Sequence, residues 1–346
     1  MNLIETLRTT QNLTDAQLKE LLETDRYDEE LRIAADAVRR EYYGMDVYIR
    51  GLIEFTNYCK NDCFYCGIRR SNRCAERYRL TKEDVLECCK EGYALGFRTF
   101  VLQGGEDPYF TDERICEIVS DIRKSYPDCA ITLSIGEKSH ESYKAYYEAG
   151  ANRYLLRHET ATAEHYSRLH PSELTFAKRR ECLFDLKAIG FQVGAGFMVG
   201  SPWQTTEHLI ADLRFLQELK PDMIGIGPFL SHKDTPFAEY PNGELKQVLR
   251  LLGILRLMHP KVLLPATTAL GTMHPQGREL GLQTGANVVM PNLSPLSVRK
   301  KYMLYDNKIS TGEESAQSVC KLSEQVASAG YRVVTARGDA KTKAAE

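Results

Sequence analysis

Three cysteines lie within eight residues in the run Cys59-Lys60-Asn61-Asp62-Cys63-Phe64-Tyr65-Cys66, with the spacing C-x3-C-x2-C. Thiolates at this spacing can hold three irons of a cubane iron–sulfur cluster, because cysteine thiolates are the usual protein ligands of such clusters. No fourth cysteine fits the pattern, so the remaining iron would keep a position open for a small molecule. The run therefore predicts a reactive cluster at this point of the chain.

A zinc site or a chance grouping of thiols accounts for the cysteine run less well. A structural zinc site usually takes four Cys or His ligands at other spacings, and no histidine lies close to the run. Three unrelated buried thiols would have no reason to cluster in a loop that contains Asn61 and Asp62. The run therefore favours a 4Fe–4S cluster whose open iron binds S-adenosylmethionine (SAM), the arrangement that radical SAM enzymes use.

The composition is that of a globular protein, since 43% of the 346 residues are hydrophobic, 27% are charged and the net charge is −2. Basic and acidic residues are interspersed, so nucleic acid is not an expected partner. Ten cysteines in a chain of this length do not indicate a disulfide scaffold, and the N-terminus does not resemble a signal peptide. No apolar stretch approaches the ~18 residues of a membrane helix. We expect a cytoplasmic protein with reduced thiols and no contact with a membrane.

Predicted strands and helices alternate from residue 46 onwards. Eight strand–helix units favour an α/β fold, the TIM-type (β/α)8 parallel barrel, over an open barrel of six units or a doubly wound sheet. Four predicted helices end in a glycine, which accepts the left-handed conformation that ends a helix. The glycines are Gly96, Gly150, Gly190 and Gly285, and the predicted strands lie at residues 47–55, 99–103, 130–135, 153–156, 192–199, 223–228, 262–265 and 286–290.

This pattern divides the chain into three regions. Residues 1–45 are a helical N-terminal extension in which no strand is predicted, and residues 46–304 are the barrel. Residues 305–346 are a C-terminal extension that contains a loop, a helix at 316–329 and a charged tail.

Polar residues follow the second and third predicted strands at their C-terminal ends, where the active site of a parallel barrel lies. Gly104 and Gly105 expose backbone groups, and Glu106 can receive an ammonium group. Alone, a Gly-Gly-Glu segment is usually a turn, but beside a cysteine run it is typical of the segment that binds the amino group of SAM. Thr132 and Ser134 lie on one side of the third strand, because side chains alternate along a strand.

The fourth predicted strand ends in the run Arg157-His158-Glu159-Thr160, and four polar residues after an apolar strand favour a site over a core position. Glu159 suits the ribose hydroxyls or the amino group of SAM, and Arg157 suits an anion. In the helical region that follows, Arg179 or Arg180 could bind the SAM carboxylate with two hydrogen bonds. The residues alone do not choose between these two arginines.

Two threonines, Thr267 and Thr268, follow the seventh predicted strand. Their hydroxyls would face the mouth of the barrel, although threonines at such positions are about as often packing residues. His232, in the loop after the sixth strand, is more often a structural residue than a base.

Several longer segments make the chain similar to the HydE family, the radical SAM maturases of FeFe-hydrogenase. The segments are FTNYC (55–59), YCG (65–67), LQGGEDPY (102–109), YLLRHET (154–160), GIGPF (225–229), DTP (234–236), PATTA (265–269) and MPN (290–292). The resemblance runs over most of the chain, between residues 30 and 305. The cysteine run identifies only the superfamily, whereas the later segments separate this family from biotin synthase and methylornithine synthase.

The resemblance implies a complete TIM barrel, one 4Fe–4S cluster with an open iron, and SAM. The implied cluster ligands are Cys59, Cys63 and Cys66. Tyr65 is placed against the adenine, and the residues placed around SAM are Gly104, Gly105, Glu106, Ser134, Glu159 and Arg179, which the resemblance prefers over Arg180. The residues placed in an internal substrate cavity are Thr132, Arg157, Thr267, Thr268 and Met290.

The resemblance implies a role in building the di-iron subcluster of the H-cluster, with a small cysteine-bound iron complex that carries CO and cyanide as the substrate. We therefore expect other hydrogenase maturation proteins as partners, together with an electron donor such as ferredoxin or flavodoxin. Some members hold an auxiliary cluster on three cysteines near the C-terminus. This chain has Ser310, Ser318 and only Cys320 in that region, which predicts no auxiliary cluster.

The leading hypothesis is a radical SAM enzyme that reductively cleaves SAM to a 5′-deoxyadenosyl radical in H-cluster maturation. One alternative is a radical SAM mutase or synthase that acts on an amino acid, similar to methylornithine synthase or biotin synthase. Another alternative is a non-catalytic carrier of an iron precursor. A carrier would bind iron but would not need Glu106, Glu159 and Arg179 arranged for SAM.

Overall fold

The computed structural model describes residues 2–309 and 319–342 of the chain. Within these ranges the helices are α1 Leu3–Thr10, α2 Asp15–Glu23, α3 Asp28–Tyr43, α4 Lys82–Ala94, α5 Asp112–Ser125, α6 His140–Glu148, α7 Ala163–Leu169, α8 Phe176–Ile189, α9 Thr206–Leu219, α10 Leu245–Met258, α11 Thr268–Met273, α12 Gly277–Gln283, α13 Leu296–Arg299 and α14 Val319–Ser328. The strands are β1 Asp46–Ile49, β2 Gly51–Thr56, β3 Thr99–Gly104, β4 Ala130–Ser134, β5 Arg153–Leu155, β6 Gln192–Ala195, β7 Met198–Val199, β8 Met223–Ile224, β9 Gly227–Pro228, β10 Val288–Val289 and β11 Arg332–Val334. None of the described helices has the length and apolar character needed to cross a membrane.

The eight predicted strand positions form a closed ring of parallel neighbours. The main sheet has the order β2-β3-β4-β5-β6-β8, and β1, which leads directly into β2, pairs with β10. Between β8 and β10, Leu263 and Pro265 make single bridges to Met223 and Val288. The seventh predicted strand, at residues 262–265, therefore closes the ring through these two bridges. The predicted TIM-type barrel is confirmed.

Several of the predicted strands are shorter than expected or broken. The first is interrupted at Arg50, the fifth is divided into β6 and β7, and the sixth is divided into β8 and β9. The break in the fifth strand lies at Gly196, where a Cβ atom would be 2.0 Å from the carbonyl oxygen of Gly225. Two glycines thus let the fifth and sixth strands approach more closely than side chains would allow.

Helix ends follow the predicted glycine signals. The four glycines expected to end helices have φ between +94° and +115°, which is the left-handed region that favours glycine. A strand follows each of these helices. The glycine that ends the helix therefore also fixes where the connection to the next strand begins.

Side chains of the strands alternate between the outer helices and the barrel interior. Tyr154 of β5 packs edge-on against Tyr143 of α6, with ring centroids 5.0 Å apart. Its neighbours Arg153 and Leu155 line a small internal cavity together with Arg50, and Tyr154 itself borders this cavity. The apolar core therefore lies between the strands and the helices, while the interior carries charged groups.

Residues 332–339 lie across the lower mouth of the barrel, where the strands begin. Strand β11 pairs in parallel with β1, a pairing that the sequence did not predict. Beyond β11, Arg153 donates to the carbonyl oxygens of Arg337 and Gly338 at 2.9 and 3.0 Å and to Asp339 at 2.7 Å. The helix predicted at 316–329 is present as α14, and its first predicted residues lie outside the described ranges.

The N-terminal helices pack against the outer helices α9 and α10. Arg214 of α9 donates to Asp15 at 2.9 Å, and Arg250 of α10 binds Asp28 through two hydrogen bonds of 2.6 and 2.9 Å. Residues 2–45 contain helices α1, α2 and α3 and no strand, and their division from the barrel as a separate extension stays a prediction.

Candidate active site

The cysteine run forms a loop over the upper mouth of the barrel, where the strands end. The loop leaves β2 and is tied to two other segments, because the amide of Lys60 donates to the carbonyl of Glu106 at 2.9 Å and that of Gly67 to Leu304 at 2.8 Å. Arg77 donates to four backbone carbonyl oxygens around the same loop. The backbone that carries the cysteines is therefore held from several sides.

Gly104 and Gly105 lie directly against this loop. A Cβ atom at Gly105 would be 2.2 Å from the carbonyl oxygen of Tyr58 and 2.8 Å from the Cβ of Cys59. A Cβ atom at Gly104 would be 2.8 Å from a methyl carbon of Thr56. The two glycines are needed for this close approach, which brings the end of β3 beside the first cysteine.

The three cysteines are half-buried thiols whose environment disfavours the free thiolate. Burial raises the pKa of Cys59, of Cys66 to about 12 and of Cys63 well above its ordinary value, and repulsion between cysteines adds to the rise at Cys63 and Cys66. Iron binding would reverse this balance, because the metal charge stabilises the thiolate. The chemistry of the three thiols therefore fits a cluster.

The thiols do not converge on one point. Among the residues that the structure describes, no three His, Cys, Asp or Glu side chains are placed to hold a single metal ion. A cubane cluster does not require that convergence, because each of its irons takes its own thiolate.

Glu106 and Asp107 are adjacent but have different surroundings. Asp107 accepts two hydrogen bonds from Arg79, at 2.7 and 2.9 Å, and one from the last threonine of β2 at 2.7 Å. Burial opposes ionisation of Asp107, but these bonds lower its pKa below the ordinary value. Glu106 is 7% exposed, accepts the amide of Glu137 at 3.0 Å and lies 3.3 Å from the ammonium of Lys60. Asp107 therefore fixes the segment and leaves Glu106 facing the mouth.

Arg179 and Arg180, which the residues alone did not separate, lie in different environments. Arg179 is buried, and it donates to Glu137 at 2.6 Å and to the carbonyl oxygen of Arg157 at 2.9 Å. Arg180 lies on the exposed face of α8 and pairs with Glu218. Arg179 therefore reaches the group of charges at the upper mouth, and Arg180 does not.

Arg157 and Glu159 form an ion pair just beyond β5, with 3.2 Å between Nη2 and Oε2. Glu159 has a φ of +63°, an uncommon value for a residue other than glycine. Arg157 also donates to the carbonyl oxygen of Phe197 at 2.9 Å. Ser134, the last residue of β4, is half-buried on the neighbouring strand.

An aromatic group borders the cysteine loop. The hydroxyl of Tyr65 lies 3.1 Å from Nε2 of His170, and the His170 ring stacks on Tyr166 with centroids 4.0 Å apart. Burial lowers the pKa of His170 to about 3, so this imidazole is neutral at ordinary pH. The rings of Tyr65, His170 and Tyr166 thus form a less polar side of the upper mouth, next to its charged residues.

The barrel below the mouth contains buried polar atoms that lack a partner. Burying such an atom without a hydrogen bond costs about 1–3 kcal/mol, so the interior suits a polar ligand or ordered water. Thr268 begins α11, and Met290 packs against an apolar cluster that includes Met223 and Val288. Over the described ranges, the atoms without a hydrogen-bond partner include Nε and Nη2 of Arg50, Oγ1 of Thr132, Nε of Arg157 and Oγ1 of Thr267.

Three charged residues of this region were not predicted as site residues. Glu137 follows β4, so the rule that placed site residues at strand ends also applies to it. Arg50 is one of two charged residues, with Glu54, in the predicted strand 47–55, and a charge in a buried strand is a signal for an interior site. Lys60 lies within the cysteine run itself, and only the structure shows that its ammonium lies beside Glu106.

Known proteins resemble this chain in both sequence and fold. A family model described as the radical SAM superfamily matches residues 53–216. The FeFe-hydrogenase maturase subunit HydE of Thermotoga maritima is 45% identical over 304 residues, which cover 87% of this chain and 86% of that protein. A 3-methylornithine synthase of Methanosarcina barkeri is 32% identical over 313 residues, which cover 89% of this chain and 88% of that protein.

Two solved structures share the architecture. The crystal structure of methylornithine synthase superposes with a TM-score of 0.81 at 29% identity, covering 96% of this chain and 97% of that one. The structure of HydG, a maturase of the FeFe-hydrogenase, superposes with a TM-score of 0.81 at 20% identity, covering 96% of this chain and 75% of that one, and supports the fold alone.

The closed barrel, the cysteine loop and the charged residues at its upper mouth define a radical SAM enzyme, a class that uses a 4Fe–4S cluster and SAM. The near full-length similarity is more specific than the class. Within the radical SAM superfamily, the chain belongs to the HydE family.

Proposed function

We propose that this chain is a maturase that acts in assembly of the di-iron subcluster of the FeFe-hydrogenase H-cluster. The observation that carries the proposal is the 45% identity to HydE over 87% of the chain. The arrangement of charged residues above partnerless interior atoms supports it. A radical is best generated above a closed cavity, because exclusion of water limits side reactions.

In this proposal Cys59, Cys63 and Cys66 hold one 4Fe–4S cluster, and its fourth iron stays open to SAM. When bound and reduced, the cluster supplies the electron that cleaves SAM to methionine and a 5′-deoxyadenosyl radical. The chain's own part is to hold SAM in one orientation and to exclude water from the cavity.

Three charged side chains are proposed to bind SAM. Glu106 suits its ammonium group, Arg179 its carboxylate and Glu159 its ribose hydroxyls. Each of them already has a counter-charge within the chain, so SAM must displace or share three ion pairs. The counter-charges are Lys60, Glu137 and Arg157, in the same order. The other proposed SAM contacts are Tyr65, Gly104, Gly105 and Ser134.

The cavity below SAM is proposed to take a small anionic ligand. Arg50 and Arg157 are cations with nitrogen atoms that lack partners among the described residues, and Thr132 and Thr267 offer free hydroxyls. These groups suit a cyanide-bearing iron complex, because cyanide ligands accept hydrogen bonds and carry negative charge. Thr268 and Met290 are proposed to complete the wall.

No auxiliary cluster is proposed for this chain. Cys320 is an exposed thiol at the start of α14. Ser310 and Ser318, which stand where a second cysteine site would need ligands, lie outside the described residues. The proposed partners are other hydrogenase maturation proteins and an electron donor such as ferredoxin or flavodoxin, and the cytoplasmic location stays a prediction from the sequence.

A radical SAM synthase that acts on an amino acid is the second candidate. The 32% identity to 3-methylornithine synthase and the TM-score of 0.81 to methylornithine synthase favour it. It ranks second because the identity to HydE is higher over a similar share of the chain. The carrier hypothesis ranks last, since a carrier does not need three ion pairs arranged for SAM.

A coupled maturation assay tests the proposal. Apo-hydrogenase, the other maturation proteins, SAM and a reductant are mixed with and without the reconstituted chain, and hydrogen evolution is measured. We expect activation only when the chain is present. Full activation without it would refute the maturase role, and formation of 3-methylornithine by the chain would support the second candidate instead.

The substrate assignment is tested in the same assay with Thr267→Val plus Thr268→Val. We expect this double variant to keep its cluster and uncoupled SAM cleavage but to lose most hydrogenase activation, because two hydroxyls have been removed from the cavity. The matched control is Thr267→Ser plus Thr268→Ser, which keeps the hydroxyls and should activate normally. Full activation by the valine variant would refute the assignment.

A further inference from the structure

The bend that carries Glu159 is a strained γ-turn. The amide of Thr160 donates to the carbonyl oxygen of His158 at 2.8 Å, and the residue between them has a φ of +63°. A three-residue turn with positive φ at its centre is the rare, strained form. A residue other than glycine keeps such a conformation only where its surroundings hold it there.

His158 and Asp212 form a buried polar pair beside this turn. His158 faces the helices, since side chains alternate along a strand, and packs edge-on against Phe215 of α9 with centroids 4.8 Å apart. Its Nε2 atom lies 3.2 Å from Oδ1 of Asp212, and neither side chain is exposed. The two atoms make a close polar contact rather than a well-aligned hydrogen bond. The proposed reaction uses neither residue.

The pair is bonded to the backbone on both sides of Glu159. The amide of Gly196 donates to Nδ1 of His158 at 3.3 Å, and the Gly196 carbonyl accepts the amides of His158 and Glu159 at 2.8 and 3.1 Å. On the other side, Oδ1 of Asp212 accepts the amide of Ala161 at 2.5 Å. Because Nδ1 accepts a hydrogen bond, the ring proton is on Nε2 and faces Asp212.

Burial disfavours the charged form of both members of the pair. Burial, assisted by the nearby charge of Arg157, lowers the pKa of His158 well below its ordinary value. Burial also raises the pKa of Asp212 well above its ordinary value. What the pair offers the site is therefore the set of hydrogen bonds that hold the backbone on both sides of Glu159.

We propose that His158 and Asp212 are positioning residues that hold the γ-turn, and so aim Glu159 at the SAM ribose and Arg157 at the cavity below. This inference rests on the proposed SAM site, because it needs Glu159 to contact SAM. The strain in the turn is what makes the support necessary.

The test compares three variants of the reconstituted full chain by equilibrium dialysis with SAM. Asp212→Leu removes the acceptor of the Ala161 amide and should weaken SAM binding by about tenfold or more. Asp212→Asn keeps an acceptor oxygen and should change the affinity by less than about threefold. Phe215→Leu is the matched control, because it loosens the packing around His158 without removing a polar bond. It should lower the unfolding midpoint and leave SAM affinity unchanged.

A double variant separates positioning from general destabilisation. If Asp212 acts through Glu159, then Asp212→Leu plus Glu159→Gln should bind SAM no more weakly than Glu159→Gln alone. Additive losses, or an equal loss in Phe215→Leu, would overturn the inference. If Asp212→Leu does not yield folded protein, His158→Gln replaces it in the same comparison.

The two proposals fail in different ways. Unchanged SAM affinity in Glu159→Gln would remove Glu159 from the SAM site and overturn the proposed function at that residue. Weakened binding in Glu159→Gln together with unchanged binding in Asp212→Leu would overturn the positioning role alone.

Discussion

Two arginines at opposite ends of the barrel differ in how fully the chain satisfies their hydrogen-bond donors. Arg153, at the lower mouth, is surrounded by partners from its own chain: two carbonyl oxygens, the Thr99 hydroxyl, Gln192 and Asp339. Arg157, above it on the same side of the barrel wall, has one carbonyl, the Glu159 carboxylate and an Nε atom without a partner in the described chain.

The difference separates a structural end of the barrel from a functional one. The C-terminal segment supplies three of the partners of Arg153, two carbonyl oxygens and the Asp339 carboxylate, and thereby covers the lower mouth. At the upper mouth the charged residues are held in ion pairs that a ligand can replace, and polar atoms below them remain unsatisfied. A partnerless buried group costs stability, so its presence points to a ligand site.

The largest effect is expected from a change in the cysteine loop. Cys63→Ala removes one of three thiolates, so iron after anaerobic reconstitution should fall from about four per chain to almost none, and SAM cleavage should be lost. The iron-free protein should keep its urea unfolding midpoint, because the lower mouth does not depend on the loop. Cys116→Ala, on α5, is the control and should retain iron. Two distinct clusters in the wild type would contradict the predicted single cluster.

The next largest effect is expected at Arg179, and the adjacent Arg180 of α8 serves as its control. Arg179→Met should weaken SAM binding by about 1–3 kcal/mol, because a charged hydrogen bond to the carboxylate is lost. Arg180→Met removes only a surface ion pair and should leave the affinity nearly unchanged. Isothermal titration of reconstituted proteins with matched cluster absorption measures both. Equal affinities would place Arg179 outside the SAM site.

The comparison between the barrel ends is tested directly by Arg153→Met and Arg157→Met. Arg153→Met should lower the free energy of unfolding by about 2 kcal/mol or more, because several hydrogen bonds of a buried cation are lost, and should leave SAM affinity unchanged. Arg157→Met should lower the free energy of unfolding by less than Arg153→Met does, and it should lower hydrogenase activation by more. Urea unfolding and the maturation assay give the two readouts. If Arg157→Met lowered the free energy of unfolding more than Arg153→Met and hydrogenase activation less, the distinction between the two ends of the barrel would be wrong.

The smallest effect is a pH dependence at the lower mouth. Burial would raise the pKa of Asp339, but the charge and hydrogen bond of Arg153 lower it below the ordinary value. The folded-state pKa is then below the unfolded value of about 3.9, so the carboxylate stabilises the fold above about pH 4 and loses this contribution as the pH falls through the folded-state pKa.

This pH dependence is measured as a difference. The unfolding free energy of the wild type minus that of Asp339→Asn should be largest near neutral pH and should shrink as the pH falls below about 4. A difference that stays constant into strong acid would show that the ionised carboxylate does not support Arg153.

Much of the barrel could be predicted from the sequence because its signals are local. The alternation of strand-like and helix-like segments marked all eight strand positions, and Gly96, Gly150, Gly190 and Gly285 marked helix ends. Strand β11 was missed because three residues carry no pattern of their own until they pair with β1. The division at residues 45 and 304 stays a prediction, and the pairing of β11 with β1 shows that the C-terminal region contributes a strand beside the barrel.

The sequence by itself determined the cysteine spacing, the class of chemistry and the strand ends at which site residues were sought, because each of these depends on residues close together in the chain. The residues themselves left Arg179 and Arg180 open and only the resemblance preferred Arg179; the tertiary structure buries Arg179 beside Glu137 and leaves Arg180 on the surface. Only the tertiary structure paired Lys60 with Glu106 and brought Asp212 of α9 beside the turn at Glu159. These outcomes depend on how whole elements pack against one another. A rotation of α8 by one residue would exchange the two arginines while leaving every local signal the same, because adjacent side chains lie on different faces of a helix.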